Sequence, residues 1–486
     1  MHGFNYREPE IPRGRFNDPG RFGRMFPWLR SLKSFDPGPD KLGEPTRADG
    51  SPGPMNGGSG FDPTQDNPRI KAGYTFLGQF VDHDLTLDTT SILERQVDVD
   101  GTTNFRTPAL ELDSVYGLGP SVQPYLYVDG KPGPLLLSED GEDLQRNRQG
   151  RAIIGDPRND ENSLISQLHL LFIKFHNKVY ETEFPDVPAG KSRFEATQTF
   201  VRWHYQWLVM NEFLPRLVGT NLTAATLAAP PFLFESEHAY MPVEFSVAAY
   251  RFGHSQVRPG YALGAGAAPG GPPRVAVLFP NIPDAPDSVG DLRGFRPVPA
   301  QLRVNWGFFF GPSAQASKFI DTRISGPLLT LPTNIVPKDD PLRQRSLASR
   351  NLQRGIDMRL PSGQALAAHL GIPVMSEAET WTNTVGPALG QVGSGQAPLW
   401  YYCLREAEVR AAGNRLAGVG AEIVARTFVA LMLKDKASYL VQEPGFVPKL
   451  GSGGRFTMTD LVNYTLGSGL ASENLLTLPG DDAPSA

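Results

Sequence analysis

Residues 76–88 read Phe-Leu-Gly-Gln-Phe-Val-Asp-His-Asp-Leu-Thr-Leu-Asp. Wound as an α-helix at about 100° per residue, this stretch places Gln79, Asp82 and His83 within an arc of roughly 100°. Asp84 falls about 100° further round and faces a different environment. One turn therefore aims an imidazole and a carboxylate into one pocket and sends a second carboxylate elsewhere. Taken alone, Asp-His-Asp reads equally as a capped core histidine or as part of a metal-assisted hydrolase site.

The helical period continues outward from this stretch. Leu164, Ile165, Leu168, Leu171, Phe172, Phe175 and Val179 recur at steps of three and four, which predicts a long amphipathic helix. Residues 194–217 read as a second, largely buried helix. Others are expected around 241–257, 345–356, 364–370, 398–411, 419–434 and 457–464. Strand patterns are few and short, at 125–128 and 275–279, and no internal repeat is present. The expected architecture is mainly α: one large helical domain over 71–470, with a long Gly/Pro-rich loop at 262–290 and a tail from 471. Residues 1–70, rich in Gly, Pro, Arg and Phe, read as an extended arm whose aromatics plug surface grooves. Their Arg/Phe interleaving would also suit a nucleic-acid arm, but the rest of the chain offers no basic platform.

Composition narrows the function classes. In 486 residues, 51 acidic side chains outnumber 46 basic ones and the formal charge is -5. That balance argues against a protein built to hold nucleic acid or an anionic membrane. With 40% hydrophobic and 20% charged residues the chain can bury an ordinary core. The single cysteine, Cys403, allows no internal disulfide and reads as a buried helical thiol. The N-terminus lacks an apolar leader, and no run approaches the ~18 apolar residues of a membrane span. A soluble, cytoplasmic protein is expected, with non-classical export and oligomeric state left open.

A second oxygen-rich stretch, Thr107-Pro-Ala-Leu-Glu-Leu-Asp-Ser-Val-Tyr-Gly117, alternates oxygen-bearing with apolar side chains. In an extended segment Thr107, Glu111 and Asp113 share one side, with the Ala109 carbonyl between them. Hard oxygen ligands at every second residue suit Ca²⁺, although a solvated edge strand shows the same alternation.

Together these stretches resemble the animal-type haem peroxidase family of the peroxidase–cyclooxygenase superfamily. Residues 78–84 (GQFVDHD) resemble its distal-histidine motif and 107–117 its calcium loop. Gly155-Asp-Pro-Arg-Asn-Asp-Glu-Asn162, continued by LHLLFIKFHNKV, resembles the distal-arginine motif. Tyr250-Arg-Phe-Gly-His254 resembles the proximal-histidine motif, and Asn351-Leu-Gln-Arg-Gly-Ile-Asp357 the motif of that histidine's partner. The five occur in the family's order over residues 70–360.

The resemblance implies haem b and Ca²⁺ as cofactors, hydrogen peroxide as oxidant, and small anionic or phenolic reductants. It assigns His83 as the acid–base that moves the peroxide proton, with Gln79 beside it and Arg158 as the stabilising cation. His254 becomes the axial iron ligand and Asn351, through its side-chain carbonyl, the acceptor for the other ring nitrogen. Arg251 and Arg354 become partners of the haem propionates. Asp82 and Glu161 match the carboxylates that form haem esters in the mammalian enzymes. Asn162 stands where one of those enzymes has a methionine, so no sulfonium link is expected, and bromide, iodide and thiocyanate become better donors than chloride. Asp84, Thr107, Ala109 (backbone), Glu111 and Asp113 would hold calcium, the long arm of Glu111 replacing a usual Asp. The implied cycle passes through the oxidised haem state called compound I. His169 and His176, seven apart on the long helix, read as packed or surface residues, and His2, His204, His238 and His369 match no catalytic position.

Three other readings stand beside this one. A fatty-acid dioxygenase of the cyclooxygenase type would carry a radical-forming tyrosine three residues before the proximal histidine, where this chain has Arg251. A non-enzymatic haem or calcium-binding protein would need no distal acid–base group. A calcium-assisted hydrolase on Asp82, His83 and Asp84 would need no haem.

Overall fold

A helix apolar on nearly every side must lie inside a protein, and residues 72–85 meet that condition. In the computed structural model, which describes residues 22–87, 104, 106–131, 133–230, 239–264, 274–279, 290–332, 345–382 and 390–473, they form helix α1 (Ala72–Leu85), buried along most of its length. It packs on α2 (Ser163–Thr182), and α2 packs on α3 (Lys191–Leu208). Phe80 of α1 stacks on Phe172 of α2 with ring centroids 4.6 Å apart and meets Tyr205 of α3 edge-on at 6.3 Å. Offset and edge contacts of this kind add to the gain from burying the rings.

The short helix α4 (Gly253–Gln256) also packs against α1. Behind it, α5 (Leu347–Asp357) contacts α6 (Leu399–Ala411), which pairs with α7 (Gly418–Lys434). Cys403 is buried on α6, as expected. Among the described residues, six short strands make three two-stranded sheets. β1 (Phe22–Gly23) runs parallel to β3 (Met241–Pro242). β2 (Asp66–Lys71) pairs antiparallel with β6 (Ala316–Lys318), and β4 (Gly260–Gly264) with β5 (Arg274–Val277). The fold is mainly α, in line with the sequence reading. No described helix is long and apolar enough to cross a membrane.

The N-terminal stretch is anchored where it is described: Phe22, Met25 and Phe26 are buried, and Tyr240 stands over Gly23, leaving no room for a Cβ there. Residues 1–21, most of the 262–290 loop and the end of the tail lie outside the described residues, with His2 and His238.

Three expected elements differ. Residues 125–128 are not a strand: a 3₁₀ turn spans Pro124–Leu126, and only Tyr127 bridges to Leu135. Pro124 has a fixed φ and no N–H to donate. The helix read over 194–217 is continuous in direction but changes winding to a π turn at Val209–Phe213. The helix read over 241–257 is a strand residue pair, a π turn (Glu244–Ala248), a 3₁₀ turn (Ala249–Phe252) and α4. Ala248, at φ -128 and ψ -77, interrupts it.

Candidate active site

The distal group comes from two elements in contact, α1 and the 3₁₀ turn Pro157–Asp160. Asp156 caps that turn, accepting the Arg158 backbone N–H at 2.9 Å. Its carboxylate also binds the Arg158 side chain at 2.7 Å and Arg106 at 2.7 Å. Arg158 donates further from Nη2 to the carbonyls of His83 (3.2 Å) and Thr86. Its Nε and Nη2 are thus committed, and Nη1 donates to no described residue. The arginine is held against the backbone of the turn that carries His83.

His83 is buried, with Nδ1 2.7 Å from Oδ1 of Asn159. Its Nε2 meets no hydrogen-bond partner among the described residues. Burial, then the neighbouring Arg158 cation, pushes its pKa down to about 3, so the ring is neutral near pH 7. Gln79 donates to Glu161 and accepts from Asn162 Nδ2 at 3.3 Å. Asn162 has a second task that the sequence reading missed: its Oδ1 accepts the Ile165 N–H at 2.9 Å and caps α2. The signal was there, since Asn immediately precedes the periodic run.

The proximal group is built on the irregular segment before α4. Arg251, in the 3₁₀ turn, and His254, in the first turn of α4, reach the same residue of α5. Asn351 Oδ1 accepts from Arg251 Nη1 at 2.7 Å, and its Nδ2 lies 2.7 Å from Nδ1 of His254. The partner is the expected one, but the expected atom is different: the carbonyl faces Arg251 and the amide nitrogen faces the imidazole. Half a turn of the amide would exchange the two, but it would also set Asn351 Nδ2 against Arg251 Nη1, donor against donor. Arg354, one turn along α5 from Asn351, is buried. Trp400 of α6 lies edge-on to His254 at 6.5 Å and donates to the Arg251 carbonyl at 3.1 Å.

The two groups border common space. Asp82 feels the positive charge of both Arg158 and Arg251, which partly offset the upward push of burial on its pKa. Glu161 is raised to about 7, chiefly by burial, yet its side chain is reachable by water. His254, pushed down to about 3 first by burial and then by Arg251, is also partly reachable. Asp82 thus lies within reach of cations from both groups, while Glu161 and His254 stay open to water. This donor set suits haem: two neutral imidazoles, each with Nδ1 against an asparagine amide, two carboxylates and two arginines.

The calcium residues are gathered only in part. Asp84 accepts the N–H groups of Leu112 (3.1 Å) and Asp113 (2.8 Å). Leu112 adopts φ 58, a left-handed conformation costly for leucine, so that successive N–H groups converge on this carboxylate. The Ala109 carbonyl accepts the Glu111 N–H at 3.1 Å. Burial and the nearby Glu111 raise the Asp84 pKa to about 7, while hydrogen bonding to Leu112 opposes them. Glu111 Oε1 is buried with no hydrogen-bond partner. Among the described residues no three acidic, His or Cys side chains are arranged to hold a metal ion.

Of the remaining histidines, His169 and His176 are fully buried, so they lie in the core and not on the surface. His176 is satisfied by the Tyr116 hydroxyl and the Gly133 carbonyl, both at 3.0 Å.

The comparisons bear on family and fold. A family model described as animal haem peroxidase matches residues 125–391, which include Arg158, Glu161, His254 and Asn351 but begin beyond His83. A peroxidase-like protein of Margaritifera margaritifera is 29% identical over 231 residues, 43% of this chain and 26% of that protein. The chain spans only 14% to 26% of the length of the curated relatives it matches. Peroxidase A of Dictyostelium discoideum superposes with a TM-score of 0.56 at 15% identity, over 95% of each chain. A fatty acid alpha-dioxygenase of Arabidopsis thaliana superposes with a TM-score of 0.57 at 15% identity, over 97% of this chain and 81% of that one. At such identity these two are likenesses of fold.

Proposed function

Since the chain belongs to the animal haem peroxidase family, we propose that it is a haem enzyme using H2O2 to oxidise small donors: bromide, iodide, thiocyanate and phenols. The observation that carries this reading is the pair of neutral histidines, His83 and His254, each with Nδ1 against an asparagine and Nε2 without a described partner. When bound, the haem supplies the iron at which the peroxide O–O bond breaks.

The chain's residues would divide the remaining work. His254 holds the iron through Nε2, and Asn351 orients its ring. Arg251 and Arg354 meet the propionates. His83 takes the proton of H2O2 on Nε2 and returns it to the leaving oxygen. Arg158, its guanidinium anchored on Asp156, offers Nη1 to the charge that develops there. Gln79 would orient a ligand or water beside His83. Asp82 and Glu161 would attach the haem as esters, each carboxylate oxygen replacing a hydrogen of a haem methyl in a two-electron oxidation for which H2O2 is the oxidant. Calcium bound by Asp84, Thr107, the Ala109 carbonyl, Glu111 and Asp113 would fix the turn that carries His83, and the unpartnered Glu111 Oε1 supports a cation there.

The fold is shared with fatty-acid dioxygenases, but Arg251 stands where the radical tyrosine of the cyclooxygenase type is expected. The neighbouring Tyr250 hydroxyl is spent on the Gly78 carbonyl at 3.2 Å. A fatty-acid hydroperoxide made from linoleate or arachidonate would favour that reading instead.

The test is an absorption spectrum of haem-supplemented protein before and after one equivalent of H2O2. The expected result is a ferric Soret band that changes rapidly with peroxide and recovers with bromide or guaiacol. No Soret band would remove the haem reading. A band inert to peroxide would leave a haem-binding protein without peroxidase chemistry.

A further inference from the structure

Behind His83 lies a second asparagine–histidine contact that the assigned roles do not use. Asn159 Oδ1 is 2.7 Å from Nδ1 of His83, and Asn159 Nδ2 is 2.9 Å from Nδ1 of His169. All three side chains are buried, and His169 Nε2 has no hydrogen-bond partner. Phe80 meets the His169 ring edge-on at 6.2 Å. Nothing else described competes for the Asn159 amide.

An asparagine amide has one accepting end and one donating end, and a neutral imidazole has one of each. With Oδ1 toward His83, that ring must carry its proton on Nδ1 and keep its lone pair on Nε2. With Nδ2 toward His169, that ring must offer a lone pair at Nδ1. Turning the amide over reverses both: His83 would accept at Nδ1 and carry its proton on Nε2, which then could not take one from a substrate. In the observed arrangement the lone pair at His169 Nδ1 gives Asn159 Nδ2 its partner, so the two rings' tautomers are coupled through one amide; with no acceptor at residue 169, Nδ2 would be buried and unpaired in this arrangement.

We propose that Asn159 and His169 are positioning residues that set the tautomer of His83, so that its Nε2 is the basic atom of the active site. His169 acts through Asn159 and touches no reacting group. The role of the tautomer rests on the peroxidase reading above; the tautomer itself does not.

Two variants separate this from simple packing. His169→Phe keeps the ring and removes the acceptor. His169→Gln loses the ring and keeps an accepting oxygen. Packing alone predicts that Phe is the better substitute; the relay predicts Gln. The first readout is ¹⁵N NMR of histidine-labelled full-length chain without haem, which reports the protonated nitrogen of His83. Nδ1–H is expected in the wild type and in His169→Gln, and mixed or Nε2–H signals in His169→Phe. The second is the rate of cyanide binding to haem-loaded protein, since HCN must give up its proton in the site. It should fall by roughly tenfold or more in His169→Phe and in Asn159→Leu, with the Soret band unchanged, and recover in His169→Gln.

An unchanged His83 tautomer in His169→Phe would overturn the proposal. So would cyanide rates in which Phe outperforms Gln. Protein that takes up no haem would end the peroxidase reading, and the NMR comparison would still decide the relay. Should His169→Phe fail to fold, Asn159→Leu carries the same two readouts.

Discussion

Arg106 and Asp156 form an ion pair at 2.7 Å in which their side chains are 1% and 0% exposed. The same carboxylate holds Arg158, so one buried charge supports both the core and the cation of the proposed site. Removing one partner of a buried pair leaves the other uncompensated, at a cost of about 3–5 kcal/mol. Asp156→Ala should lower the urea midpoint accordingly. Burial alone would raise the Asp156 pKa, but Arg158 and Arg106 more than offset it and hold the carboxyl well below the usual range. A folded pKa below the unfolded one gives stability that is complete above about pH 4 and lost as pH falls below it. The acid limb of stability against pH should therefore be steeper in the wild type than in Asp156→Asn. Parallel limbs would refute this account of the pair.

Glu244 fastens the N-terminal stretch to the body. It is fully buried and accepts the N–H groups of Met25 at 2.9 Å and Phe26 at 3.2 Å. Glu244→Gln keeps the volume but turns one acceptor into a donor, stranding a buried N–H at a cost on the order of 1–3 kcal/mol. Amide hydrogen exchange at Met25 and Phe26 should quicken, and trypsin should cut after Arg24 or Arg30 sooner than in the wild type. Unaltered exchange there would mean that the buried Phe22, Met25 and Phe26 suffice to hold the segment.

How much of this was legible in the sequence depended on which residues carried a period or a motif. The faces of α1 and α2 follow from apolar spacing, and Gln79, Asp82 and His83 share the predicted face because α1 is regular. The break at Ala248 left no such mark, since a π turn followed by a 3₁₀ turn uses the same residue types as an α-helix. Asn159 was not singled out and His169 read only as a packed or surface residue, because each looks ordinary until the fold brings residues 83, 159 and 169 together. The winding of the 107–113 loop, with Leu112 left-handed and the Ala109 carbonyl turned to Glu111, is set by Asp84, far away in sequence. Alternation alone could not show it.

That loop supports a test of calcium in which two lesions cross. Without metal, Glu111 Oε1 is buried unpaired beside the Asp84 carboxylate, so Glu111→Gln should leave Tm unchanged or raise it. With a cation bound, the same substitution removes a ligand. Saturating Ca²⁺ at about a hundred times Kd should stabilise the wild type by about 2.7 kcal/mol and Glu111→Gln by much less. Thermal melts of both proteins in EDTA and in excess Ca²⁺ give the four values. A wild-type Tm indifferent to Ca²⁺ would remove calcium from the proposal.

Haem attachment can be tested apart from turnover. Glu161, held near neutrality by burial, is tethered by Gln79, while Asp82 lies between the influence of Arg158 and Arg251. The Gln79 bond restricts the orientation of Glu161, as suits an ester-forming group. After incubation with haem and a few equivalents of H2O2, acidified organic solvent should leave haem with the wild-type chain. Asp82→Val and Glu161→Gln should each release a part of it, and the double variant all of it. Gln79→Leu frees the Glu161 carboxyl from its tether without removing it, so it should slow attachment while leaving the final extent unchanged. Haem that extracts fully from the wild type at every stage would show that neither carboxyl forms the bond. Release confined to the Asp82 variant would assign a single ester and leave Glu161 an electrostatic role beside Arg158.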